Sequence, residues 1–162
     1  MQPTTHDPVH GVAYAFTPDG ENLIVDTWLD AGAKLPEHFH PIQEEHWSVV
    51  DGRARIQVGK VTAMVRPEDG AQIVKPGVRH SIATPDGPAR LRTLVLPALS
   101  LQEFLEESAA AAREGLFARG GIPRSLRGAR WAASFLARHR DETVMTFPPR
   151  FAQSAMIALL GR

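Results

Sequence analysis

Between Val9 and Leu96 apolar and polar residues alternate with a period close to two, in short runs broken by Pro-Asp-Gly, Asp-Gly and Pro-Gly. Alternation of this kind puts successive side chains on opposite faces of a strand, and the breaks are turn chemistry. The pattern predicts eight strands: Val12 to Phe16, Leu23 to Leu29, His46 to Val50, Ala54 to Val58, Val61 to Val65, Ala71 to Val74, Arg79 to Ala83 and Ala89 to Leu96. Asp51-Gly52 and Gly59-Lys60 read as tight hairpin connections, and Pro85-Asp86-Gly87 as a further turn. Strands this short, at this spacing, predict an all-β sandwich or jelly-roll barrel.

After Pro97 the period changes to 3.6, and alanine and arginine replace valine and threonine. Ser100 followed by Glu103 is a capping-box signature ahead of a stripe of Leu101, Phe104, Leu105, Ala109 and Ala112, on a helix ending near Gly115. A second helix is expected from Ser125 to His139. A third follows Pro148-Pro149 with Phe151, Ala155, Met156, Leu159 and Leu160 on its apolar side. The chain thus divides into a β-barrel over 1–97 and a helical extension over 98–162, which is expected to cover the barrel exterior or a second subunit in a homodimer.

Charge and composition narrow the partners. The 162 residues include 18 basic and 18 acidic side chains, a formal net charge of zero, so no overall field favours nucleic acid or an anionic membrane. The extension carries no helix-turn-helix signature. A small-molecule partner is expected. There is no cysteine, which leaves histidine and carboxylate as metal ligands. The N-terminal residues lack a basic start followed by an apolar run, and Ala155 to Leu160 is too short to span a bilayer, so the expected location is the cytoplasm.

One segment concentrates the chemistry. His38 and His40 are two apart, so in an extended chain both imidazoles face the same side. Glu45 follows after a bend near Pro41, and alternation places Glu45, Trp47 and Val49 on one face with Glu44, His46 and Ser48 on the other. Because the inward face of a barrel is the apolar one, Glu45 is the expected inward carboxylate. Gly32, His38, His40, Glu45 and Gly52 match every fixed position of the first cupin motif, G-x5-H-x-H-x4-E-x6-G. The second motif, G-x5-P-x-G-x2-H-x3-N, is met in Gly77-x2-His80. Lys75 stands where proline is usual, Gly70 is one residue too close, and Thr84 replaces the closing asparagine.

The chain therefore resembles the cupin superfamily, in particular small single-domain cupins with a quercetin-dioxygenase-like first motif. The resemblance implies a jelly-roll barrel holding one divalent transition metal (Fe, Mn, Ni, Co, Cu or Zn) through His38, His40, Glu45 and His80. Three neutral imidazoles and one carboxylate suit such an ion and leave coordination positions open for a substrate, dioxygen or water. Trp28, Gln43, Trp47, Met64 and Ile82 are candidates to line a substrate pocket. His6, His10 and His139 read as solvated histidines, and Tyr14 as a packing residue. The function expected is a metal-dependent enzyme on a small organic molecule, an oxidoreductase of the dioxygenase kind. A non-redox isomerase, cyclase, lyase or decarboxylase is the alternative, and a non-catalytic small-molecule-binding cupin the second.

Overall fold

The computed structural model describes residues 2–160. Two antiparallel sheets carry the fold. The first orders β1 (Thr5–Asp7), β2 (Val12–Asp19), β3 (Asn22–Leu29), β10 (Ala89–Leu96), β5 (Glu44–Gly52) and β8 (Gln72–Val74). The second orders β13 (Val144–Met145), β4 (Lys34–Phe39), β9 (His80–Ala83), β6 (Ala54–Val58) and β7 (Val61–Val65). Their facing sides close on one apolar core that includes Leu29, Ile56, Val74, Leu91 and Val95. The alternation read from the sequence explains this. Along β10, Ala89, Leu91, Thr93 and Val95 are buried while Arg90 and Arg92 point outward to the carboxylate of Asp26. The arrangement is a jelly roll followed by three helices.

All eight expected strands form, three of them with the bounds expected and the others shifted or extended at their ends. β1 and β4 are additional. β4 has the sequence Lys-Leu-Pro-Glu-His-Phe, only half covered, with a proline inside and a register shift between Leu35 and His38 against β9. Without clean alternation it does not announce itself as a strand, yet it is the one that carries His38.

The extension is less purely helical than its periodicity implies. Helices α1 (Leu101–Arg113), α2 (Leu126–Arg138) and α3 (Arg150–Leu160) are joined by a short hairpin, β11 (Phe117–Ala118) with β12 (Ile122–Pro123), and by β13. α1 packs on β1, and α2 on α3. β13 returns to the barrel and adds itself to the edge of the second sheet, Val144 opposite Phe39 and Met145 opposite His38. Two expectations need correction. Ser100 starts α1 but caps nothing: its oxygen accepts from no helix amide, its hydroxyl is turned to donate to the Glu142 carboxylate in a charge-assisted bond, and Glu103 is exposed. On α3, Gln153 turns inward and donates to the carbonyls of Met145 and Pro148, which leaves Phe151 and Leu159 exposed rather than covered.

No helix among the described residues is long and apolar enough to cross a membrane.

Candidate metal centre

Two paired strands and the turn that follows the first bring the histidines together. His38 lies on β4 and is paired across the sheet with His80, the first residue of β9; His40 sits just past the end of β4. The ring nitrogens that the three offer lie within 4.8 Å of one another. The local chain is held by backbone bonds between the two motifs: the Gly77 amide donates to the His40 carbonyl at 2.7 Å, and Gly32 donates to the Thr84 carbonyl at 2.8 Å. Thr84, in the place of the usual asparagine, is fully buried and donates its hydroxyl to the Asp30 carbonyl at 2.6 Å. The altered second motif therefore still closes its turn.

The tautomer of each imidazole follows from its partner. Nδ1 of His38 lies 2.8 Å from the Pro36 carbonyl, that of His80 2.8 Å from the Val78 carbonyl and that of His40 2.6 Å from the Glu142 carbonyl. A carbonyl oxygen only accepts, so each Nδ1 carries the proton and each Nε2 presents a lone pair. Nε2 of His40 and of His80 are buried with no hydrogen-bond partner. They face the Glu45 carboxylate at 3.5 and 3.3 Å respectively. Lone pairs aimed at a carboxylate inside a barrel repel one another unless a cation stands among them. This is the fit expected of a divalent ion: neutral imidazoles oriented by carbonyls behind them, with a carboxylate beside them. Glu45 approaches His40 and His80 and stands outside the mutual 4.8 Å grouping of the three histidines. Its other oxygen contact is the indole N–H of Trp47, which donates to Oε2 at 2.9 Å and fixes the carboxylate.

The electrostatics agree. Burial pushes the His38 imidazole down to about 3, with the neighbouring His80 and His40 adding to the effect, so it stays neutral and able to ligate. Burial would raise the Glu45 carboxyl, but His40 and His80 outweigh it and hold the group well below the usual carboxylate range. His40 differs: burial opposes its protonation but Glu45 outweighs it, so in the metal-free chain its imidazole is raised, and a proton on Nε2 facing Glu45 takes the place that a metal ion would compete for.

Above the cluster lies a cavity of about 140 Å³ reached by His38, His40 and Glu45, with His80 wholly buried behind them. Of the five residues expected on its wall, Trp47 and Ile82 are there. Trp28, Gln43 and Met64 are not. Trp28 follows the outward face of β3, under the guanidinium of Arg90 at 4.8 Å. Gln43 is buried in the bend before β5, donating to the carbonyls of Pro97 and Ala98. Met64 is exposed on the β6–β7 hairpin.

The structure adds residues that pattern reading passes over. Asp7 is buried; its Oδ1 accepts from the amides of Val9 and His10, and its Oδ2 lies 2.8 Å from Nδ1 of His10. The pair borders the cavity, with Tyr14 nearby. The spacing Asp7-Pro-Val-His10 is the available signal, an Asx-type turn that ties a carboxylate to an imidazole. From the extension come Phe104, Thr143 and Met145 on the cavity wall, and the Glu142 carbonyl on His40. The Glu142 carboxylate is itself held by Ser100 and by Nδ1 of His139 at 2.7 Å. His139 is buried, not solvated.

No protein-family model matches the chain. A 52-residue stretch is 36% identical to a protein of Arthrobotrys oligospora named as an oxidoreductase, spanning 32% of this chain and 21% of that relative's length. Among solved structures, the chain is similar to an RmlC-like cupin from Shewanella frigidimarina (TM-score 0.55, 24% identity, 62% of this chain and 89% of that one). It is similar also to KdgF from a Halomonas species (TM-score 0.55, 17% identity, 60% and 89%). These likenesses show the fold.

Proposed function

We propose that this chain of cupin fold is a metal-dependent enzyme acting on a small organic molecule, and that its reaction is oxidative, of the dioxygenase kind. The observation that carries the reading is the convergence of three carbonyl-oriented imidazoles and a buried carboxylate at the floor of a cavity. The stretch shared with a protein named as an oxidoreductase supports the redox reading. A divalent ion held by His38, His40, His80 and Glu45 would supply Lewis acidity and, if redox-active, electrons. The chain's own contribution is arrangement. Three Nδ1 protons are committed to carbonyls, which keeps every Nε2 turned to the site. Trp47 keeps the carboxylate fixed, and Leu35, Ile82, Leu91 and Phe104 give the cavity a mostly apolar wall.

Anaerobic loading with Fe(II), followed by oxygen in the presence of catechols, flavonols and diketones, tests it. Oxygen uptake matched to loss of one of these compounds is expected. No uptake with any of them, together with oxygen-independent turnover that is equal with Zn(II), would overturn the oxidative reading.

That second outcome belongs to a non-redox reading, favoured by one observation. A Lewis-acid isomerase, lyase or cyclase needs a group in the cavity to take and return a proton, and the Asp7–His10 pair is such a group. His10 with Nδ1 held by Asp7 leaves Nε2 to face a ligand, and His10→Asn would then lower turnover at least about a hundredfold.

A further inference from the structure

The cavity over the histidines adjoins a larger one. A second cavity of about 570 Å³ lies beyond it, and Asp7, His10, Pro36, Phe104, Ser108 and Met145 border both. Its far walls come from the extension and are mostly apolar. Aromatic rings follow one another along them: Phe104 lies 4.8 Å from Phe135, Phe135 stacks on Trp131 at 4.6 Å and 17°, and Phe117 stands edge-on to Trp131 at 5.6 Å. The series starts at the shared border and leads away from the metal centre.

The volumes decide what this can hold. A cavity of about 150 Å³ takes one benzene-sized ring, whereas ligand sites for larger molecules run from about 300 to 1,000 Å³. The inner cavity alone accommodates little more than a metal-binding head group. The polar groups at the junction are those of Asp7, His10 and Ser108; Lys34, Glu37 and Thr146 edge the outer cavity on the barrel side, and the wall that the extension supplies is aromatic and apolar, which favours a ring-bearing body over a charged one.

We propose that the outer cavity binds the apolar, ring-bearing body of a ligand whose oxygen-bearing head reaches His38, His40 and Glu45. The substrate class is therefore an elongated aromatic or alicyclic compound with a chelating end, not a single-ring phenol or a small hydrophilic acid. The proposal rests on the metal-centre reading above and adds the extension as the part of the chain that selects the substrate.

The experiment compares two ligands with the same head. The full chain is loaded with Zn(II) and titrated calorimetrically with acetohydroxamate and with 2-naphthohydroxamate. The naphthyl compound is expected to bind at least tenfold more tightly, at an affinity independent of protein concentration. Ala132→Trp fills the outer cavity away from the metal ligands and should abolish that gain while leaving acetohydroxamate binding unchanged. If this variant fails to retain zinc, Phe117→Ala replaces it, with naphthyl affinity falling at least threefold and acetohydroxamate again unaffected. Equal affinities of the two compounds for the unaltered chain would overturn the proposal and leave the metal centre standing. A gain that survives both substitutions, or one that scales with protein concentration as a second copy entering the cavity would make it, would also overturn it. Failure of the chain to hold zinc or to bind either compound would overturn the metal-centre reading and the proposal with it.

Discussion

The barrel and the extension contribute to the same imidazole from opposite sides. The barrel fixes where the Nε2 atoms point by placing His38, His40 and His80 on or beside neighbouring strands; the extension fixes one of those rings from behind, through the Glu142 carbonyl on His40 Nδ1. For His38 and His80 the accepting carbonyl lies two residues away in the same strand region, at Pro36 and Val78. For His40 it lies 102 residues away. A ligand whose orientation is set locally survives changes elsewhere in the chain. One oriented by a distant segment makes metal affinity depend on that segment's packing, and here the same segment walls the cavity.

The largest effects should come from the barrel side. Structural zinc sites bind with about 10–16 kcal/mol, so one ligand of four carries roughly 3 kcal/mol, about a hundredfold. His80→Ala should cost at least that in Zn(II) affinity by competitive chelator titration, and retention of full affinity would remove His80 from the set. Next is Gly52, which ends the first motif at φ +72°, where an added Cβ would lie 2.5 Å from the Pro88 carbonyl oxygen. Gly52→Ala should destabilise the fold by about 2 kcal/mol or more by denaturant unfolding, since left-handed strain and a backbone clash add. Gly32, at φ +77° with open space around its Cβ position, should cost no more than the strain, about 1–2 kcal/mol. The extension's share is smaller: partners behind a metal ligand are worth about 10–100-fold. Glu142→Ala, which frees the segment from Ser100 and His139, should weaken zinc binding about tenfold with the strands intact by circular dichroism. Unchanged affinity would separate the extension from the metal centre.

Legibility divides along the same line. The H-x-H spacing, the inward Glu45 and the strand alternation are all local, and each was readable because ligand and strand lie within a few residues of each other. Trp47 and Ile82 followed from the same alternation. Trp28 was readable too, since Leu23, Val25, Thr27 and Leu29 are buried and Trp28 must alternate outward with Ile24 and Asp26; Asp26, buried beneath Arg90 and Arg92, is where that rule is hidden. Gln43 and Met64 sit in a bend and on a hairpin, where period two says little. Nothing local connects Glu142 to His40, or Ser100 to Glu142, and a tertiary partner of higher charge overrode the capping box that the sequence does contain. Asp7 and His10 had only a turn signal until β1 placed them on the cavity.

Acidity probes the barrel's own part. The His38 imidazole is pushed down to about 3 in the folded chain against about 6.5 when unfolded. Between these values the unfolded chain takes up a proton that folded His38 refuses, so this residue withdraws stability as pH falls from about 6.5 and withdraws none above it. His38→Gln removes that contribution. The melting temperature of metal-free His38→Gln, relative to the unaltered chain, should therefore rise as pH is lowered from 7 to 4; a difference constant with pH would show that His38 titrates normally.

The finest test sets two helix starts of the extension against each other. Ser125 accepts from the Gly128 amide at 3.2 Å and caps α2. Ser100 occupies the same position on α1 and gives its hydroxyl to Glu142 instead. Alanine should cost about 1 kcal/mol of stability at Ser125 as a lost cap and about 1.5 kcal/mol or more at Ser100 as a lost hydrogen bond to a charged group, ranges that overlap. Stability alone does not tell them apart. Metal affinity does, because only Ser100 lies on the route from α1 through Glu142 to His40. Ser100→Ala should lower zinc affinity by about two- to fivefold, a fraction of what the outermost partners of a metal ligand are worth, and Ser125→Ala should leave it unchanged. Equal effects of the two on zinc would mean that the extension stabilises the barrel generally and that His40 is oriented without it.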